Sequence, residues 1–251
     1  MQKILIANWK MNLDVTKTLQ LARDYKKEFK LVKGVELVVA PSLPLLVSVE
    51  NIFAGTKIGL AGQNVASYSE GSYTGEVSAT MLKQIGCKYS LVGHSERRQH
   101  VAELDEMIHK KIVQCYSSGL IPVLCIGELL KDKESGQRDS VIINQLHKAL
   151  ADVDALPEKE IIIAYEPAWA LGSGVPVQKE DLIQVERIIK RTISNLFSES
   201  FYNDKVRLLY GGSVDSKNVL DYWGIEKISG FLVATASLEA TEFMNIALSI
   251  K

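Results

Sequence analysis

The sequence predicts an α/β protein, a closed (β/α)8 barrel in which eight parallel strands are ringed by helices. Three observations predict it. Short runs rich in Ile, Val and Leu recur eight times, and most are apolar throughout rather than alternating, as strands buried on both faces are. Longer stretches with helical spacing lie between them, so successive strands join as βαβ units in a parallel sheet. Eight such units in 251 residues match the size of a closed barrel. A doubly wound open sheet is the alternative. The lack of Gly-x-Gly-x-x-Gly after the first strand favours closure.

The strands are expected at 4–9, 36–40, 58–62, 89–93, 121–126, 161–166, 206–210 and 228–233. Among the helices, Leu104, Ile108, Ile112 and Cys115 share one face, as do Leu182, Val185, Ile189, Ile193 and Leu196. Ser213 and Asp215 ahead of Val219-Leu220 read as a helix start, and Ser95-Glu96 as the start of a short helix. The charged run 131–138 reads as a solvated helix entry. No Pro/Gly/Ser-rich linker or low-complexity segment divides the chain, so residues 1–251 are expected to form one domain.

Composition narrows the functional classes. With 47% hydrophobic residues and a net charge of −1, the chain has a full core and no basic excess to attract nucleic acid. No amphipathic basic segment suits a membrane surface, and no run reaches the length of a membrane span. Lys3 precedes only Ile4-Leu5-Ile6-Ala7 before Asn8, too short for a secretory leader. The three cysteines (Cys87, Cys115, Cys125) and four histidines show no metal-ligand spacing and suit reduced thiols. A cytoplasmic protein without a metal site is expected.

Polar residues then gather at one end of the barrel. Asn8 and Lys10, Gln63 and Asn64, His94 and Ser95, Glu128, Glu166, and Gly211-Gly212-Ser213 all fall at or just past a strand's C-terminal end. Those ends form the rim where barrel active sites are built. Glu166 follows the apolar Ile161-Ile162-Ile163 and precedes Pro167, whose fixed φ makes a stiff joint. A carboxylate at the edge of a core, joined to an apolar flap, suits a base stripped of water when the flap shuts. His94 at a helix start, where positive potential disfavours imidazolium, can donate a hydrogen bond to a carbonyl. Lys10 offers a fixed positive charge for an oxyanion or a phosphate. Gly211-Gly212-Ser213 between strand and helix suits phosphate binding by backbone N–H groups. Cys125 suits core packing better than nucleophilic attack. Plain alternatives remain at each position: a strand-ending Glu, a His satisfied by backbone, an exposed Lys, an ordinary Gly-Gly turn.

Taken together, these motifs resemble the triosephosphate isomerase family from end to end. Asn8-Trp9-Lys10-Met11-Asn12 resembles its first-strand motif and Val92-Gly93-His94-Ser95-Glu96-Arg97-Arg98 its histidine motif. Ala164-Tyr165-Glu166-Pro167 with Trp169-Ala170 and Leu171-Gly172 resembles its base and lid. Tyr210-Gly211-Gly212-Ser213-Val214 and Gly230-Phe231-Leu232-Val233 resemble its phosphate loops. The resemblance implies a TIM barrel that interconverts dihydroxyacetone phosphate and D-glyceraldehyde 3-phosphate through an enediol(ate), in glycolysis and gluconeogenesis, with no cofactor. It implies Glu166 as the base, a neutral His94 as electrophile and a closing lid. Lys10 and Asn8 would stabilise negative charge, and Leu171 and Leu232 would clamp Glu166. Gly172, Ser213, Ala234 and Thr235 would bind the substrate phosphate, supported by Ser95, Glu96 and Tyr210. The loop 63–75, from Gln63 to Gly75, would dock into a second copy and place Thr74 near Asn8 and Glu96 of that copy.

The sequence departs from the family in two places. After Val233 stand Ala234-Thr235 instead of the usual Gly-Gly, and the lid's far hinge reads Val175-Pro176-Val177. If the position calls for positive φ, Ala234 and Thr235 would be strained or the loop displaced. The favoured case is helical φ, continued by Ser237-Leu238-Glu239, which would keep their N–H groups on the anion. Two other classes stay open: a Schiff-base aldolase acting through Lys10, and a catalytically idle barrel that only binds.

Overall fold

The computed structural model describes residues 3–153, 158–170 and 177–250. Leu171, Gly172, Val175 and Pro176 lie outside the described residues. Eight parallel strands close into a barrel in sequence order: β1 Lys3–Asn8, β2 Val35–Ala40, β3 Gly59–Gly62, β4 Tyr89–Val92, β5 Ile121–Ile126, β6 Ile161–Tyr165, β7 Val206–Tyr210 and β8 Ile228–Val233. These are the eight expected strands, with no end moved by more than one residue. Trp9, Gly93 and Glu166 fall just beyond their strands, on the rim.

The all-apolar strands have two buried faces. Ile4, Ile6, Val38, Leu91, Val123, Cys125, Ile162, Ala164, Leu209 and Leu232 fill the barrel interior. Their neighbours in sequence, such as Leu5, Ala7, Val39, Leu124 and Ile163, pack outward against the helices. Period-two alternation therefore separates two cores rather than core from solvent. Closure needs Gly230, which pairs with Ile4. A Cβ there would lie 1.7 Å from the Ile4 carbonyl oxygen, so only glycine lets β8 approach β1.

The helices are α1 Val15–Glu28, α2 Leu46–Phe53, α3 Ala79–Ile85, α4 Ser95–His100, α5 Asp105–Ser117, α6 Leu130–Glu134, α7 Arg138–Leu150, α8 Lys179–Leu196, α9 Glu199–Lys205, α10 Val219–Trp223 and α11 Ala240–Ser249. Local chemistry starts and stops them. Asp14 Oδ1 accepts the Lys17 amide at 2.8 Å to cap α1, and Gly86, with φ 107°, ends α3. Leu182, Val185, Ile189 and Ile193 of α8 are fully buried. Truncating Ile189 to Ala would cost about 2–5 kcal/mol.

One helix reading needs correction. Leu104 does not share the face of Ile108, Ile112 and Cys115: it precedes α5 with extended backbone and is 59% exposed. Within the α10 pair, Val219 is buried but Leu220 is 60% exposed, because a five-residue helix buries one side only. None of the helices is long and apolar enough to cross a membrane among the described residues.

Candidate active site

Asn8 ends β1 and is buried. Two residues on, Lys10 takes φ 50°, the left-handed region that a non-glycine residue enters at a cost of about 1–2 kcal/mol. The strain is held from both sides. The Lys10 amide donates to Asn8 Oδ1 at 3.1 Å, and its carbonyl accepts from Ser42 Oγ at 2.8 Å and Gln63 Nε2 at 2.9 Å. This turn aims the ammonium across the barrel mouth at Glu96, with Nζ 2.6 Å from Oε1. Burial alone would raise the Glu96 carboxyl, but its bond and charge contact with Lys10 hold it below the usual carboxylate range.

His94 follows β4 and caps α4. Its Nδ1 accepts the Glu96 amide at 3.3 Å. A nitrogen accepting an N–H carries no proton, so the neutral ring keeps its hydrogen on Nε2. That nitrogen lies 3.2 Å from Glu166 Oε1, and the other carboxylate oxygen accepts the Ser95 amide at 3.2 Å. His94, Ser95 and Glu166 are all buried. The Glu166 main chain is fixed as tightly: its amide donates to Ile126 at 2.7 Å, and a Cβ on Gly127 would sit 2.0 Å from its carbonyl oxygen. Cys125 lies in the barrel interior, its thiol pushed up first by burial and then by the Glu166 charge. A thiol so held is a packing group rather than a nucleophile.

The sequence placed Glu128 on the rim without a role, and the structure supplies one. Its buried carboxylate accepts from Tyr165 Oη at 3.1 Å and Trp169 Nε1 at 2.8 Å, and its carbonyl accepts the Ala168 amide at 3.0 Å. Glu128 thus grips the chain on both sides of Glu166. The charged run 131–138 is also more than a solvated entry. Lys133 Nζ stands 3.9 Å above the Trp169 ring and 3.2 Å from Asp181, which Arg138 also reaches at 3.2 Å. Cation–π contact and ion pairs so brace the indole from outside. Spacing could not reveal this, because Asp181 is 48 residues from Lys133.

On the strand adjacent to β6, Tyr210 ends β7, and the Gly211 amide donates to the Tyr165 carbonyl at 2.8 Å. Gly212 is glycine for a reason beyond anion approach: a Cβ there would lie 2.1 Å from the Tyr210 hydroxyl. Ser213 follows, half-buried. Asp215 Oδ1 accepts the amides of Lys217 at 2.9 Å and Asn218 at 3.0 Å, the turn chemistry behind the expected helix start. After β8, where Leu232 is buried, Ala234 has φ −103°. Thr235–Leu238 forms a single 3-10 turn. Neither Ala234 nor Thr235 has positive φ. The turn ends at Leu238, and Glu239 is extended (φ −123°, ψ 118°) rather than continuing it.

A carboxylate buried against a neutral imidazole, at the C-terminal mouth of a (β/α)8 barrel, defines an enzyme of the acid–base class. Comparison with known proteins gives the particular family. The triosephosphate isomerase family model matches residues 3–250. Triosephosphate isomerases of Aquifex aeolicus and Dictyoglomus turgidum are 39% and 38% identical to the chain. The alignments cover 99% of the chain in both cases, and 100% and 99% of the relatives. The crystal structure of the Bartonella henselae triosephosphate isomerase superposes with a TM-score of 0.87 at 32% identity, over 98% of each chain. The chain belongs to the triosephosphate isomerase family. Its activity is the interconversion of dihydroxyacetone phosphate and glyceraldehyde 3-phosphate.

Proposed function

We propose that Glu166, His94, Lys10 and Asn8 carry this isomerisation, with the whole chain acting as one barrel domain. Glu166 takes a proton from the carbon beside the substrate carbonyl and returns it to the neighbouring carbon. His94 Nε2–H donates to the carbonyl oxygen and passes a proton between the two oxygens of the enediol(ate). The Lys10 ammonium, with Asn8 beside it, stabilises the negative charge. In the free enzyme the Glu166 carboxylate holds the Nε2–H and the Ser95 amide, so substrate oxygens compete for His94 and release the base. Ser213, Ala234, Thr235 and, outside the described residues, Gly172 bind the phosphate. Leu232 and Leu171, the latter also outside the described residues, supply apolar surroundings that keep water from the base.

The observation that carries this reading is the 3.2 Å approach of His94 Nε2 to a buried Glu166. A Schiff-base lysine requires an apolar pocket, whereas Lys10 lies in a polar one, bound to Glu96. Glu166→Gln keeps the shape and removes the basicity. In a coupled assay, kcat is expected to fall by about 10²–10⁴ with substrate-analogue binding little changed. Near-parental turnover would remove Glu166 as the base.

We further infer a cytoplasmic homodimer. A cavity of ≈ 290 Å³ beside the site is lined by Lys10, Met11, Leu43, Gln63 and Glu96. Met11 there is 93% exposed, an apolar side chain that a second copy would cover. The loop 63–75 offers the plug, with Tyr68 and Tyr73 stacked at 4.1 Å and Thr74 next to them. Stacking limits the ordering cost of docking.

A further inference from the structure

Tyr222 belongs to none of the motifs that carry the family resemblance, yet it is 2% exposed and reaches the β7 side of the site. It sits on α10, and its ring packs on Tyr210 with centroids 4.5 Å apart. Its hydroxyl donates to the Val177 carbonyl at 3.1 Å. The Tyr210 hydroxyl is buried without a hydrogen-bond partner among the described residues. It lies so close to Gly212 of the Gly-Gly-Ser loop that a Cβ there would be 2.1 Å away. Burial pushes both phenols above their ordinary value, so both stay protonated at neutral pH. Two tyrosines thus join three segments: the loop after β7, the helix α10, and Val177, immediately after residues 171–176.

We propose that Tyr222 is a positioning residue that fixes Val177 and the Gly211-Gly212-Ser213 loop relative to each other, and so sets the geometry of the phosphate end of the site. The inference deepens the assignment of that loop to phosphate and rests on it. Tyr222 touches no reacting atom. Its hydroxyl restrains Val177 directly, and its ring restrains Tyr210, whose side chain packs closely against Gly212. The arrangement also accounts for a hydrophobic far hinge: Val177 is held by its backbone carbonyl, and its buried side chain (3% exposed) needs no polar partner.

The test is Tyr222→Phe, which keeps the ring on Tyr210 and removes only the hydroxyl, beside Tyr210→Phe and the double variant. Steady-state kinetics, inhibition by inorganic phosphate and thermal midpoints are measured on each. The expected result is a three- to tenfold loss in kcat/KM for Tyr222→Phe, about the size of one lost hydrogen bond. Phosphate inhibition should weaken by a similar factor. The double variant should be little worse than the poorer single one, as coupled neighbours require. A lowered thermal midpoint with kinetics and phosphate inhibition unchanged would reduce Tyr222 to a structural residue and overturn the inference, and so would strict additivity. Glu166→Gln separates the two readings. A dead Glu166→Gln enzyme with a silent Tyr222→Phe refutes this inference alone, whereas an active Glu166→Gln enzyme refutes the catalytic assignment.

Discussion

Ala234 and Thr235 stand where the family resemblance implies glycines in the proposed phosphate loop, and their backbone does not call for glycine. Glycine serves such a loop by positive φ or by close approach. Here Ala234 has φ −103° and Thr235 opens a 3-10 turn, so the first need is absent. The turn is anchored from below, with Ser237 Oγ on the Ala234 carbonyl at 2.6 Å and Tyr25 Oη on the Ser237 carbonyl at 2.6 Å. What remains is crowding by two side chains, on the order of 1 kcal/mol in ligand affinity, about fivefold. The double change Ala234→Gly with Thr235→Gly should therefore lower KM and the phosphate inhibition constant modestly and leave kcat nearly unchanged. A large rise in kcat would mean that the native loop misplaces the substrate.

At the scale of elements, the segment from β4 to α5 is tied together by one buried carboxylate. Glu103 Oε1 accepts the Gly93 amide at 3.2 Å, while its Oε2 faces Lys111 at 3.0 Å and takes Arg97 as well. Burial would raise Glu103, but Lys111 and Arg97 pull it below the usual carboxylate range. Burial lowers Lys111 despite its partner. Glu103→Gln strands a buried ammonium and should cost about 3–5 kcal/mol in urea unfolding at pH 7. Because the folded carboxyl lies below its unfolded value, its stabilisation is complete above the ordinary carboxylate pKa of about 4.3. It is lost as pH falls through the depressed folded value. The gap between parent and variant should shrink accordingly in acid, and a gap that widens there would contradict the ion-pair account. The elements themselves were legible because most strands are apolar on both faces and several helices, such as α1, α3 and α9, open on a capping Asp or Ser. Lys133 and Tyr222 were not, since Asp181 is 48 residues from Lys133 and Val177 45 residues from Tyr222. Leu104 misled because periodicity marks a face but not where the helix begins.

For the whole molecule, the same convergence that makes the barrel mouth exposes a cavity beside Lys10 and an uncovered Met11. Sedimentation at micromolar concentration should show a dimer, and a fully active monomer would contradict the docking of loop 63–75. The mouth also explains why the proposed catalytic residues were legible as a group. Asn8 stands at the end of β1, Lys10, His94 and Glu166 just past strand ends, and closure brings β1, β4 and β6 to one rim. The central claim is that Glu166 moves a carbon-bound proton while His94 serves the oxygens. The most direct measurement is isomerisation in deuterium oxide followed by proton NMR. The parent should wash solvent deuterium into the carbon beside the carbonyl as it turns over, and Glu166→Gln should slow that exchange by about 10²–10⁴. Exchange in Glu166→Gln at the parental rate would contradict it.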